Sequence, residues 1–181
     1  MRALILSALV GIALSATAAG AARTTNPKNL LLRASDVPAG AKRLAFGGTS
    51  GGIKIPRTVR GKAAYVAYRF KSGKRTEAVA SAVGTLASTR DAHDVFIKLR
   101  KDARKAAGGL KTIRLQKLGD EQIAVGSAVP LASSGVVVVR SGTVIWEIVV
   151  AAYPGFSKAR AKAELVKYAR RGKARAGGGG G

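Results

Sequence analysis

The stretch Gly135–Ala152, GVVVVRSGTVIWEIVVAA, decides the fold. Its apolar runs, Val136 to Arg140 and Thr143 to Ala152, flank Ser141-Gly142. A two-residue connection in which Gly supplies a positive φ predicts a tight β-hairpin. Both runs are apolar at nearly every residue, so the two strands are expected to be covered on both sheet faces. Trp146 should be buried. Glu147 interrupts the second run beside it, and a charge there needs either solvent or a cationic partner. Arg140, across the hairpin, is the candidate for a structural pair.

Working outward, Pro154-Gly155 stops the second strand, and Ser157 can cap a last helix whose inner face is Ala161, Leu165, Tyr168 and Ala169. Upstream, Ala63 to Phe70 alternates, with Val66, Tyr68 and Phe70 on one side, as a half-buried strand does. Lys71 to Lys74 reads as its hairpin turn, and Arg75 to Ala87, rich in Ala, Val and Thr, as the returning strand. Ser88 to Ala107 has the strongest helical pattern: Ser88 or Thr89 as cap, Asp91 in the first turn, an apolar stripe at Ala92, Phe96, Leu99, Ala103 and Ala106, and Gly108-Gly109 as the stop. Leu110 to Leu118 and Gln122 to Ala128 are read as two further strands. Leu30 to Leu32 is expected to form a short helical turn docked on the core, and the glycines and Pro56 between Phe46 and Arg60 make that stretch a loop or an irregular edge.

The expected fold is therefore α+β: a mostly antiparallel β-sheet packed against helices in a single domain, residues 29–169. A signal peptide (1–22) and a linker (23–28) precede it, and a basic, glycine-rich disordered tail (170–181) follows. The leader is predicted from Met1-Arg2 as a positive start, the apolar run Ala3 to Leu14, and small residues up to Ala22 with two A-x-A sites. That apolar run falls well short of the ~20 residues of a bilayer span. Cleavage is expected between Ala19 and Arg23, giving a secreted or extracytoplasmic, envelope-associated protein.

The 181 residues contain 32 Lys and Arg against 9 Asp and Glu, one His and no Cys. A hydrophobic fraction of 47% argues against disorder, so the charge sits on a folded body. Absent cysteines exclude disulfides, thiol nucleophiles and zinc-thiolate clusters, and the single His93 excludes a His-rich metal site. His93 lies off the helix stripe with no acid on its own helix face, and no G-x-S-x-G elbow is present. Asp120-Glu121, the one adjacent acidic pair, follows Leu118-Gly119 in a turn, where Asp and Gly serve backbone conformation. The paired glycines lack the lysine of a phosphate loop. These absences predict a protein that is not an enzyme and needs no cofactor or metal.

Three stretches resemble the extracellular sensor-like domains of PknH-type kinases and their secreted actinobacterial relatives: Leu31 to Gly40 (LLRASDVPAG), Leu118-Gly-Asp-Glu121, and Val136 to Val144 (VVVVRSGTV), with the expected helix at Asp91 to Lys105 between the first two. The resemblance implies an antiparallel sheet packed on helices and a binding or sensing role outside the membrane, with no catalytic residues to carry over. The lipobox Cys, membrane span and paired cysteines of many relatives are missing, which implies a freely secreted or wall-associated form.

Charge names the expected partners. Lys158, Arg160, Lys162, Lys167, Arg170, Arg171, Lys173 and Arg175 stand against Glu164 alone in the last helix and tail. A net charge of +23, lowered by one when Arg2 leaves with the leader, exceeds the ~2 to 8 units that solubility calls for. These eight residues are the predicted polyanion-binding set, for acidic cell-envelope polymers or an anionic lipid surface. A ligand-binding core for a small molecule or lipid is the other expectation. Nucleic acid is disfavoured: with 5% aromatics a base-stacking platform is poorly supplied.

Overall fold

The structure, a computed structural model, describes residues 26–44, 53–106, 111–128 and 133–177. The predicted signal peptide and the polyglycine end lie outside the described residues. Two 3-10 turns, Pro27–Leu30 and Ala34–Asp36, lead into strands β1 (Lys42–Arg43), β2 (Gly61–Ser72) and β3 (Arg75–Leu86). Helix α1 (Thr89–Ala106) crosses over to β4 (Lys111–Thr112), β5 (Glu121–Ala128), β6 (Ser133–Ser141) and β7 (Val144–Tyr153), and helix α2 (Lys158–Gly177) follows. The strands form one sheet in the order β1-β2-β3-β7-β6-β5-β4, antiparallel throughout. An α+β fold in a single domain is thus the observed architecture.

The β6–β7 hairpin turns at Gly142, whose φ of +58° the glycine adopts without a Cβ penalty. It sits in the middle of the sheet and is covered on both sides. Val137, Val139, Trp146, Ile148 and Val150 face a core formed with Leu165, Tyr168 and Ala169 of α2 and with Leu30, Leu31, Leu32 and Val37 of the N-terminal segment. Val138 and Ile145 face the opposite core, formed with Ala92, Val95 and Phe96 of α1 and with Ile53. Trp146 is 1% exposed. The layers are therefore α2 with the N-terminal turns, the sheet, and α1.

Both helices begin where their caps dictate. Ser88 Oγ accepts from the Asp91 amide at 3.0 Å and donates to the Asp91 carboxylate at 2.8 Å. Ser157 Oγ accepts from the Arg160 amide at 3.3 Å.

Four sequence expectations need correction. The last helix does not end at Ala169; it runs to Gly177, so 170–177 is not a disordered tail. Gly172 lies over Trp146, and a Cβ there would meet the indole at 3.3 Å, so the glycine allows the close approach. The domain also starts before Asn29, because Pro27 is buried and opens a 3-10 turn, leaving less of a linker than 23–28. The expected strand Leu110 to Leu118 is reduced, among the described residues, to Lys111–Thr112. Arg140 does not pair with Glu147. In register it stands opposite Ile145 on one side and Glu121 on the other, and it takes Glu121.

The reason α2 stays helical is its anchorage at Asp36. Arg175 donates two hydrogen bonds to the Asp36 carboxylate, Nε to Oδ2 at 3.1 Å and Nη2 to Oδ1 at 3.0 Å. The Arg33 amide donates to Oδ2 at 2.7 Å, and Arg171 donates to the Asp36 carbonyl. Burial pulls the Asp36 carboxyl upward, but the hydrogen bonds and the charges of Arg175 and Arg171 outweigh it and hold its pKa below the ordinary 3.8. A carboxylate stabilised in the folded state contributes stability above its unfolded pKa and loses it as pH falls through the lower folded one. Asp36→Asn is therefore expected to destabilise the protein by about 1 to 3 kcal/mol at pH 7. In urea denaturation at matched pH values, the difference from the wild type should shrink below pH 4. An unchanged midpoint at pH 7 would show that the latch carries no net stability.

Candidate anion-binding surface

The eight cations predicted from the last helix divide in two. Arg160 donates to Glu77 at 3.1 Å and to Ser72 at 3.3 Å, with its guanidinium 5.3 Å from the centre of the Phe156 ring. Glu77 is 3% exposed, so Arg160 neutralises a buried carboxylate. Lys167 pairs with Glu164 at 2.8 Å and lies 4.8 Å from the Tyr168 ring. Arg171 and Arg175 hold Asp36, and Arg171 also lies over the Tyr168 ring at 5.6 Å. These four are internal fasteners. Lys158, Lys162, Arg170 and Lys173 are exposed, with Arg170 reaching the Gln116 side chain at 3.3 Å.

A second group of cations, missed in the sequence, gathers at the β2–β3 turn and its edge. In register Lys42 lies directly opposite Arg69, both exposed. Lys71 is two residues further along the same face, and Lys74 and Arg75 close the turn. Like charges directly opposite on adjacent strands destabilise a sheet unless something compensates them. Arg160 ties the first turn of α2 to Ser72 and Glu77, so Lys158 stands at this end too. The alternation Arg69-Phe70-Lys71, with Lys74-Arg75 after the turn, was the available signal. Assigning it required β1 as the neighbouring strand.

The acids explain why this corner stays uncompensated. Five of the nine are in ion pairs: Asp36, Glu77, Asp120, Glu121 and Glu164. Asp91, Asp94 and Asp102 lie on α1, and Glu147 lies within the sheet. At the β2–β3 turn the acid is Glu77, buried and already matched.

Opposite this corner, beside the β6–β7 turn, is a polar cluster. Arg140 pairs with Glu121 and, at 3.2 Å, with Asp120, whose carboxylate also accepts from the Gly142 amide at 2.8 Å. His93 Nδ1 is 2.9 Å from Glu121 Oε2, an acid partner that helix spacing alone did not reveal. Burial raises the Glu121 pKa, but the hydrogen bonds from His93 and Arg140 dominate and hold it below the ordinary carboxylate range. Among the described residues no hydroxyl is hydrogen-bonded to His93, and Ser88 is occupied by Asp91. The cluster clamps the turn between α1 and the sheet.

Glu147 is an acid within the sheet that has no ion pair among the described residues. Register places it in the row Tyr65, Ala82, Glu147, Val138, Ile123 on the α1 face. Its half-buried carboxyl has no ion pair or hydrogen bond among the described residues, and burial pushes its pKa up to about 7. Tyr65 is pushed up to about 12, by burial and then by the Glu147 charge.

No cluster of three acidic or histidine side chains among the described residues is placed to hold a metal ion. None of the described helices is long and apolar enough to cross a membrane. Compared with protein-family models, with curated proteins and with solved structures, the chain matches none of them.

Proposed function

We propose that this protein is a secreted, non-enzymatic binding module of a bacterial cell envelope, attached electrostatically to acidic envelope surfaces. The observation that carries the reading is the uncompensated cationic corner: Lys42, Arg69, Lys71, Lys74 and Lys158 share one end of the molecule whose single acid is buried and paired. The exposed Lys162, Arg170 and Lys173 of α2 extend the positive surface. Attraction of this kind acts over about a Debye length, ~8 Å at physiological salt, and is screened beyond it. The resemblance to sensor-like extracellular domains favours the same setting. Among the described residues Tyr153 is the exposed large hydrophobic side chain, which leaves little to stack on nucleic-acid bases.

The test is retention on isolated cell-wall fragments across a salt series. The wild type is expected to elute progressively with salt, and the triple variant Lys42→Ser, Lys71→Ser, Lys74→Ser to elute earlier. A variant neutralised at Lys158, Lys162 and Lys173 should show a smaller shift in the same direction. Retention indifferent to salt and to both variants would end the electrostatic reading.

A further inference from the structure

We infer that the seam between α2 and the edge segment 111–118 binds one extended strand of a polyol phosphate, an unbranched phosphodiester polymer without bases, a proposal that rests on the electrostatic reading above and names the polymer for the α2 end of the same surface.

Helix α2 has two differently charged flanks. Spacings of three and four residues put Arg160, Glu164, Lys167, Arg171 and Arg175 on one and Lys162, Val166, Arg170 and Lys173 on the other. The first flank is matched, because Glu77, Glu164 and Asp36 take its cations. The second has no acid, since Glu164 is the one carboxylate of the helix. It faces the edge segment: Arg170 Nη2 donates to Gln116 Oε1 at 3.3 Å, and Ile113 and Leu115 pack against the core that holds Leu165 and Ala169. That segment adds the exposed Lys111, Arg114 and Lys117, and again no acid before Asp120, which Arg140 holds.

The cations form a ladder. Lys162, Arg170 and Lys173 mark off ~16 Å of helix at ~1.5 Å per residue, with a gap at Val166. Lys111 stands level with that gap: register puts it in the row Lys111, Gly126, Gly135, and Leu165 packs over Gly135. It shares its strand face with Ile113, which joins the core on the α2 side. Positive charge therefore recurs about every 5 to 6 Å along the seam. An extended chain covers ~3.5 Å per three bonds, so a glycerol phosphate repeat, six bonds long, sets one phosphate every ~7 Å. Flexible lysine stems can follow that step, and about three phosphates fit the length. Arg170 suits a phosphate because its planar fork keeps donors beyond the one given to Gln116. Tyr168, the one aromatic residue of the two elements, is 1% exposed, so the seam gives bases nothing to stack on.

The experiment is calorimetric titration of the full chain with a glycerol phosphate hexamer, with glycerol 3-phosphate, hexathymidylate and a hyaluronan oligomer of equal charge as comparators. The hexamer should bind about tenfold more tightly than the hyaluronan oligomer, hexathymidylate no more tightly than the hexamer, and glycerol 3-phosphate without detectable heat. Its affinity should fall with salt at a logarithmic slope of about 2, ~0.7 for each phosphate engaged. Lys162→Gln with Lys173→Gln, both exposed, should weaken binding about tenfold, and Lys111→Gln, on the other wall, should lower the slope by about 0.7. Lys98→Gln with Lys101→Gln, which removes the same charge from exposed positions of α1 across the sheet, should stay within about twofold of the wild type. Equal weakening by the α1 and α2 pairs, an unchanged slope in Lys111→Gln, or tighter binding of hexathymidylate or of the hyaluronan oligomer overturns the proposal. Failure of the hexamer to bind, with salt-dependent wall retention intact, refutes the seam alone; retention indifferent to salt refutes the electrostatic reading beneath it.

Discussion

A chain cut after Ser157 is expected to lose its fold altogether, not merely its charge. The cut removes Leu165, Tyr168 and Ala169, exposed by 0%, 1% and 1%, from the core over Trp146, Ile148 and Val150. Each large apolar side chain lost from such a core costs about 2 to 5 kcal/mol, and a whole domain is stable by only ~5 to 15 kcal/mol. The same cut leaves Glu77 buried without Arg160 and Asp36 without Arg175, a change of the kind that costs ~3 to 5 kcal/mol per broken pair. Circular dichroism and urea titration of the truncated chain should show no cooperative transition. A cooperative transition near that of the intact protein would mean that α2 is an accessory and not part of the core. The consequence for binding studies is direct: the cationic surface has to be probed by point substitution at exposed lysines.

The second large effect is expected at Glu147. Its carboxyl titrates near 7 in the folded protein against an ordinary 4.5. The folded state therefore holds a proton that the unfolded state has released across that window. Stability should be highest below pH 4.5, fall as pH rises from there through 7, and level off above. Allowing for the solvent that reaches a half-buried carboxyl, the cost at pH 8 is about 2 kcal/mol. Glu147→Gln keeps the shape and removes the ionisation. It should therefore gain about 2 kcal/mol over the wild type at pH 8 and almost nothing at pH 4.5. Urea midpoints at the two pH values measure this; an equal gain at both would show that the carboxyl is not the source. The slope runs opposite to that from Asp36, so the protein is squeezed from both sides of the pH scale.

Much of the sheet was legible because its signals are local. The hairpin at Ser141-Gly142, the alternation from Ala63 to Phe70 and the capped helix after Ser88 each declare themselves within about twenty residues of chain. What escaped was every feature whose partner is remote. Arg140 and Glu147 share a hairpin, and the eye pairs them; β5 then brings Glu121 directly opposite Arg140 and α1 brings His93 to the same carboxylate. The run Arg170-Arg171-Gly172-Lys173 has the composition of a loose end, and only Asp36 and the face of Trp146 make it a helix. The cationic corner was hidden for the same reason. Its members come from β1, from both sides of the β2–β3 turn and from the start of α2, whereas a linear scan weighs only neighbours and so favoured the densest run of basic residues.

The pairing of β3 with β7 bears on the order in which the molecule can be assembled. Residues 76–85 wait for residues 144–153, and the core beneath them waits again for α2. Contacts so far apart in sequence make folding slow compared with a bundle of local elements. Until Val144–Tyr153 is available the first meander lacks its central neighbour, and until α2 follows it Leu30 to Leu32 lack their lid. The emerging polypeptide thus stays incomplete until its last helix is free, and β3's open edge needs protection until β7 pairs with it.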